Sequence, residues 1–475
     1  MKVILADTHG LILGKAQTSP NLGLLYLASY ARQHITNIEF HYIPQKYTEN
    51  YHYEMVDKHR PEVYALSCTS YGAATAYRLI NNLKAKYPKM LIIAGGAHVS
   101  AVPKDVLEFC KADIAIIGEG EITFTEILQN LNNLEEVLPK IDGIGYMKDG
   151  KYKATNGRNP IDNIDSIPFP ARDLAQREDF IGIPLLKNTP STEVIITRGC
   201  PFRCTFCANP VFRYKEGLPL YRRRTPENIA EEVEELYQMG YRELYLHSDE
   251  LNVSLEWSID VCKALAALGH TDLYFQCNLR VIPMSEEFAY WLKKANFWLI
   301  RFGVESANDR VLTGIKKKMS VERTLNACKV ISDQGIKVLG YFMMYQFWRD
   351  ENGTFQYETT EEVERTIKFA EKIWKNGWLD YIAFIVSTPV QGAEMYDVAI
   401  AEKMIDKSYI PGDTWIPSKY IEGISDKDFH RLMRKGRFLQ MKMALFSGGV
   451  NWKNIDGLLI KIRDLITGRK GLAVD

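Results

Sequence analysis

Three of the eight cysteines in this 475-residue chain crowd into one short run, Thr197-Arg-Gly-Cys-Pro-Phe-Arg-Cys-Thr-Phe-Cys207. Cys200, Cys204 and Cys207 are spaced C-x-x-x-C-x-x-C in one loop, with no fourth cysteine nearby. Thiolates suit iron–sulfur clusters and zinc. Three thiolates on a four-iron cube leave one iron without a protein ligand, and a substrate can chelate there. Structural zinc is normally closed by four Cys or His ligands. No histidine is close in sequence, although His247 can approach in space. Structural zinc and free thiols are the competing readings. The other cysteines, Cys68, Cys110, Cys262, Cys277 and Cys328, are scattered. Cys262 and Cys328 fall among apolar positions of expected helices, where a thiol acts as a small hydrophobe.

The elements that must position this loop alternate between strand and helix. Strands are expected at Val194–Thr197, Glu243–His247, Leu273–Cys277, Trp298–Gly303, Val338–Met344 and Tyr381–Val386, and a helix follows each of the first five. The helix Pro226–Met239 starts after an N-cap Thr225, has proline at its first position and stops at Gly240. Alternation alone fits a flat parallel sheet or a partial barrel. In a barrel, chemistry sits at the carboxyl ends of the strands. Polar runs fall there: His247-Ser-Asp-Glu-Leu-Asn252, Cys277-Asn-Leu-Arg280, Phe302-Gly-Val-Glu-Ser306 and Ser387-Thr-Pro-Val-Gln-Gly392. Each taken alone also reads as an ordinary solvated loop or a capping ion pair.

In this order the motifs resemble the radical S-adenosylmethionine (SAM) superfamily, whose cluster-binding loop matches Arg198–Cys207 nearly residue for residue. The resemblance implies that Cys200, Cys204 and Cys207 bind a [4Fe–4S] cluster. SAM would chelate the open iron, and one electron from an external reductant, passed through the cluster, would cleave it to a 5′-deoxyadenosyl radical. Phe206 would pack near the adenine. Asp249, Glu250 and Asn252 form the acidic motif beside SAM, Arg280 would pair with its carboxylate, and Glu305 and Ser306 would lie next to it. The barrel is then a partial (β/α)6 barrel over residues 191–395. One segment departs from the family: Tyr345-Gln-Phe-Trp-Arg-Asp-Glu-Asn-Gly-Thr-Phe-Gln-Tyr357 replaces a short G-x-P-G-E-T turn. Its five aromatics could line a substrate cavity or form a small satellite core.

Residues 1–135 read as a separate doubly wound α/β domain, Rossmann-like, with buried strands at Val3–Ala6, Val63–Ser67, Leu91–Ala94 and Ile114–Ile117 and an edge strand at Ile38–Tyr42. Pro20–Ala28, Gly95-Gly-Ala-His98 and Gly118-Glu-Gly-Glu121 resemble the cobalamin-binding arrangement of the same superfamily. By that resemblance Ser67, Thr69, Tyr71, Gly95, Gly96, Gly118, Glu119 and Gly120 contact cobalamin. Asp7-Thr-His9 matches the start of the D-x-H-x-x-G motif that replaces a lower axial ligand, but Ile12 stands at the glycine position. His9 therefore reads as a loop histidine, and Tyr71 is the candidate for covering the lower face. Gly118–Glu121 lacks the G-x-G-x-x-G spacing of a dinucleotide site.

Residues 136–190 read as a connector with a hairpin turning at Asp149-Gly150, and 396–475 as a helical C-terminal region. Within the latter, Val450–Ile466 is amphipathic, a helix expected to pack on the barrel rather than rest on a membrane and present a lipid. Net charge is zero, with 59 basic and 59 acidic residues, so no global field points to nucleic acid. No signal peptide and no apolar run of about 20 residues is evident, so a soluble cytoplasmic protein is expected. The leading expectation is a cobalamin-dependent radical SAM methyltransferase acting on an unactivated carbon of a small-molecule, lipid or peptide substrate. The alternatives are ring closure or rearrangement with the same cofactors, and a non-enzymatic corrinoid or metal carrier.

Overall fold

The computed structural model describes residues 1–8, 19–45, 47–180, 185–209, 221–411 and 415–446. His9 and the segment 450–466 lie outside them. Apolar runs with turn residues at their ends make the strands of the first sheet: β1 (Lys2–Asp7), β2 (Glu39–Ile43), β3 (Val63–Ser67), β4 (Leu91–Gly95), β5 (Ile114–Ile116), β6 (Ile144–Lys148) and β7 (Lys151–Ala154). Their order is β2-β1-β3-β4-β5-β6-β7. The first five are parallel, and the β6–β7 hairpin adds antiparallel at the β5 edge. The hairpin read as part of a connector is thus the far edge of the first sheet. Helices cover both faces, and two separate apolar clusters fill the two layers.

The second sheet begins with β8 (Ser191–Ile195), which leads into the short ribbon of β9 (Thr197–Arg198) and β10 (Arg222–Arg223). It continues through β11 (Glu243–His247), β12 (Tyr274–Leu279), β13 (Phe297–Glu305) and β14 (Lys337–Met344). A second ribbon, β15 (Phe347–Arg349) and β16 (Phe355–Tyr357), precedes the last strand, β17 (Tyr381–Val386). The order β17-β14-β13-β12-β11-β8 follows the chain without a crossover, and all five pairings are parallel. This is an open six-stranded barrel segment with its helices outside. The helix Pro226–Gln238 is capped as expected: Thr225 accepts from the Asn228 amide at 3.3 Å.

The departing segment Tyr345–Tyr357 is packed, not open. Tyr345 and Phe347 are fully buried and Trp348 nearly so. Tyr345 meets Phe429 at 5.4 Å between ring centroids and Phe347 meets Trp415 at 6.2 Å, so the C-terminal helix Asp426–Phe446 and its lead-in close over the ribbon. The aromatics form no separate satellite core: Tyr345, Phe347 and Trp348 belong to the main barrel core, and Phe355 and Tyr357 pack against it.

Under this ribbon lies Glu358, fully buried. It accepts from the Ser306 hydroxyl at 2.8 Å and the Tyr345 amide at 2.9 Å. Burial pushes its carboxyl up to about 8 from the ordinary 4.5. The folded state therefore holds this proton more tightly than the unfolded chain. The cost of ionising it is absent below about pH 4.5 and grows as pH rises towards 8. Glu358→Gln is expected to raise Tm at pH 8.5 and to leave it nearly unchanged at pH 5, read by calorimetry. An equal shift at both pH values would show that charge burial is not the cause.

Candidate active site

The cysteine loop leaves β9 at the carboxyl end of the barrel, and several elements hold it. Gly199 donates its amide to Asp249 Oδ2 at 2.7 Å, tying the start of the loop to the end of β11. Thr205 donates its amide to Ile315 O at 3.0 Å, and the Thr205 carbonyl accepts from the Met395 amide at 2.7 Å. Cys207 closes a turn onto the Cys204 carbonyl at 3.1 Å. Within the loop so held, Cys207 acts electrostatically on Cys200, and Cys204 on Cys207. Burial pushes the Cys200 thiol up to about 12, with Cys207 and nearby carboxylates adding to it, and burial raises Cys207, with Cys204 adding.

Buried cations stand against this acidic, thiol-rich patch. Arg280, 3% exposed, sets Nη1 3.8 Å from Cys204 Sγ and its guanidinium carbon 3.8 Å from the centre of the Phe202 ring. It also donates to the Lys317 carbonyl. Lys317 Nζ lies 2.8 Å from Glu305 Oε1 and 5.6 Å from the centre of the Phe206 ring. Glu305 adopts φ 62°, a left-handed turn that ends β13 and directs its carboxylate back to Lys317. Burial pushes Glu250 up to about 7, although Lys317 and Arg280 oppose the shift.

The expected SAM residues thus divide by role. Asp249 and Glu250 lie near enough to raise the Cys200 thiol, and Asp249 also acts on Cys207; Glu305 and Phe206 meet at Lys317. Arg280 reaches the loop as well, but its side chain is spent on Cys204 and Phe202. Asn252 is fully buried and acts as a brace: its Nδ2 donates to the carbonyls of Arg280 at 2.8 Å and Pro283 at 2.7 Å. Ser306 lies behind the strand in the Glu358 network, bonded also by Asn308 Nδ2 at 3.0 Å. Lys317 was not singled out from the sequence. The run Ile315-Lys-Lys-Lys318 carries three lysines, and only the fold shows which one turns inwards.

A cleft of about 1540 Å³ of empty space, open mouth included, joins the two domains. One wall is the carboxyl edge of the first sheet, with Ser67, Gly95, Gly96, Gly118, Glu119 and Gly120; the other carries Gly199, Cys200, His247 and Asp249. Gly96 has φ 95°, and an added Cβ would lie 2.9 Å from the Cys68 carbonyl oxygen, so the wall is backbone that a side chain would push apart. Thr69 and Tyr71 are not on this wall. Tyr71 is 45% exposed and leans on Thr388 of the barrel. In its place the loop is tied to His98, whose Nδ1 is 3.0 Å from Ser70 Oγ and whose Nε2 is 2.6 Å from the Tyr77 hydroxyl.

The two walls are fastened across the domain boundary. Arg198, two residues before Cys200, donates to Glu121 Oε1 at 2.6 Å and Glu119 Oε2 at 3.3 Å. Arg222 reaches the same Glu119 at 3.0 Å and the Ile161 carbonyl at 2.6 Å. Glu119, expected as a cofactor contact, is therefore also a strut. Burial raises its carboxyl, but Arg222 and Arg198 outweigh that and hold it below its ordinary value.

The sulfurs fit a cluster better than a single zinc ion. Among the described residues, no set of three thiols lies mutually within 4.8 Å, whereas bonds of about 2.3 Å to one tetrahedral zinc would draw sulfurs closer than that. His247, the possible fourth zinc ligand, is engaged 3.6 Å from Glu193. A buried cation at a sulfur is a known lever on cluster potential. Arg280→Gln is expected to lower the reduction potential by tens of millivolts, read by redox titration; an unchanged potential would place the guanidinium outside the cluster's field.

Residues 194–370 match the Radical SAM superfamily and residues 10–128 the B12 binding domain. An uncharacterized methyltransferase of Pyrococcus horikoshii is 28% identical over 421 residues, covering 88% of this chain and 87% of that protein. The cytidylyl-2-hydroxyethylphosphonate methyltransferase of Streptomyces wedmorensis is 24% identical over 394 residues, covering 77% and 70%. The radical SAM methyltransferase TsrM of Kitasatospora setae superposes with a TM-score of 0.65 at 14% identity, covering 89% of this chain and 81% of that one.

Proposed function

We propose that this chain, which belongs to the radical SAM superfamily and carries its cobalamin-binding domain, transfers a methyl group to an unactivated carbon of a small organic substrate. The observation that carries the reading is the single cleft with the Gly95–Gly96 and Gly118–Gly120 edge on one wall and Cys200 and Asp249 on the other. The two methyltransferase relatives, each matched over most of its length, support the same reaction class.

When bound, a reduced [4Fe–4S] cluster supplies the electron that cleaves SAM, and cobalamin supplies a carrier for the methyl group. The chain's part is placement and exclusion of water. Cys200, Cys204 and Cys207 would hold the cluster. Asp249 keeps the loop in register through the Gly199 amide. Glu305, held by Lys317, and Glu250 offer carboxylates to the SAM ammonium or ribose. The glycine-lined edge allows close approach of a bulky corrinoid. Arg198 and Arg222 fix the spacing of the walls, on which transfer between the two cofactors and substrate depends.

The reconstituted, cobalamin-loaded chain, given SAM with a deuterated methyl group and a candidate substrate, is expected to form deoxyadenosine and S-adenosylhomocysteine together and to deposit the label on carbon. Deoxyadenosine with no S-adenosylhomocysteine would overturn methyl transfer in favour of ring closure or rearrangement.

A further inference from the structure

The amino-terminal end of the first sheet, opposite the carboxyl edge that walls the cofactor cleft, brings together a glutamate and two histidines. Glu39, which pairs with Lys2 at the start of β1, and His41 are alternate residues of β2, so their side chains leave one face of the sheet. Ile43 leaves the same face and joins an apolar cluster with Val56 of the helix Glu49–His59. His52, Val56 and His59 recur at helical spacing, which puts His59 on the inward side of that helix. The three polar side chains thus meet at the rim of a packed strand–helix contact.

One possible ligand atom from each residue lies within 4.8 Å of the other two, and among the described residues no other such trio of His, Cys, Asp or Glu occurs. Four-coordinate zinc with donors at about 2.0–2.2 Å needs them about 3.4 Å apart, so a small closure suffices. The rings of His41 and His59 lie 3.5 Å apart between centroids. His41 Nε2 is shut off from solvent and 2.9 Å from Glu39 Oε1, yet the two do not align as a hydrogen bond. An ordinary imidazole–carboxylate pair would point the N–H at the oxygen, whereas an ion between them would bind both. Glu39 is exposed, which leaves a way in from solvent and room for a water as fourth ligand.

Two imidazoles and one carboxylate suit zinc and its neighbours in the first transition row, not the all-oxygen preference of magnesium or calcium. Lys2 and Lys58 act electrostatically on His59, which also favours an ion held by coordination over one held by charge alone. The elements joined here are weakly held. β2 is an edge strand paired with β1 alone, and the helix buries only His52 and Val56 of its eleven residues.

We propose that Glu39, His41 and His59 bind one zinc ion, which clips the edge strand to the end of the helix, independently of the cofactor cleft. The test is zinc titration of the anaerobically reconstituted full chain, its cluster thiols occupied by iron, by calorimetry and by zinc-edge X-ray absorption. One zinc per chain is expected, with nitrogen and oxygen ligands at about 2.0 Å and no sulfur at about 2.3 Å. His41→Ala and His59→Ala should each weaken binding at least tenfold, and Glu39→Gln by a smaller factor. Zinc should raise Tm in the parent and not in His59→Ala, and magnesium should do neither. No zinc uptake, equal uptake in the parent and both histidine variants, or a sulfur shell around the bound ion would overturn the proposal and leave an ordinary imidazole–carboxylate pair. Should the histidine variants fail to fold, the absorption spectrum of the parent decides.

Discussion

Replacing any one of Cys200, Cys204 or Cys207 by alanine is expected to take deoxyadenosine formation below detection. Two thiolates cannot hold a four-iron cube with one defined open site, and the neighbours offer no substitute. His247 is engaged by Glu193, and the other cysteines, Cys68, Cys110, Cys262, Cys277 and Cys328, are all buried within the cores. The fold should survive, because the loop is held by backbone bonds to Ile315, Asp249 and Met395 that need no sulfur. Iron content after anaerobic reconstitution and the far-ultraviolet circular dichroism should therefore part company, the first collapsing while the second is unchanged. A cysteine variant that retains full iron and SAM cleavage would refute the ligand assignment for that residue.

The second large effect concerns stability. Glu232, 1% exposed, accepts from Arg172 at 2.9 Å and from Arg224 at 2.5 Å, each itself more than nine-tenths buried. Arg172 comes from the connector and also donates to the Glu193 carbonyl on β8 at 2.7 Å, while Arg224 donates to the Ile195 carbonyl at 3.0 Å. The triad thus pins the connector to the strand that launches the cysteine loop. Removing the carboxylate leaves two buried cations facing each other, and breaking a buried pair in this way costs about 3–5 kcal/mol. Glu232→Ala should lower the urea midpoint accordingly, and the loss should be larger than for breaking the exposed surface pair of Lys329 and Asp333. A loss below about 1 kcal/mol would mean that the pair stabilises little beyond its own desolvation.

Much of this was legible in the sequence because it is local. The thiol triplet sits in one loop, so its spacing speaks for itself. The central barrel strands β11 and β13 are buried over most of their length on both faces and read as apolar runs closed by turn residues, and Pro226 after Thr225 marks its helix without any tertiary information. The pairings that join distant parts were not legible. Nothing near Arg198 announces that it will reach Glu119 and Glu121, nearly eighty residues earlier, because ion pairs across a domain boundary leave no periodic trace. Arg280 was found by its place at a strand end, yet the direction of its side chain depends on the Phe202 ring beneath it. Asn252 and Ser306 carry motif letters that suggest contact with a ligand, but their side chains satisfy buried backbone and carboxylate groups. The aromatic segment Tyr345–Tyr357 could be placed only once Trp415 and Phe429 were seen to cover it. The hairpin at Asp149-Gly150 was visible as a hairpin, but its attachment to β5 is a long-range choice of sheet edge.

The central claim is that one chamber between the domains would take both cofactors. It is tested most directly by continuous-wave and saturation-recovery spin resonance of cob(II)alamin in the reconstituted chain, with the cluster oxidised and then reduced. With Gly95, Gly118 and Cys200 on the walls of a single cleft, reducing the cluster is expected to speed relaxation of the cobalt signal and broaden it, and the effect should vanish in Cys204→Ala. A cobalt signal indifferent to the oxidation state of a fully loaded cluster would contradict the shared chamber.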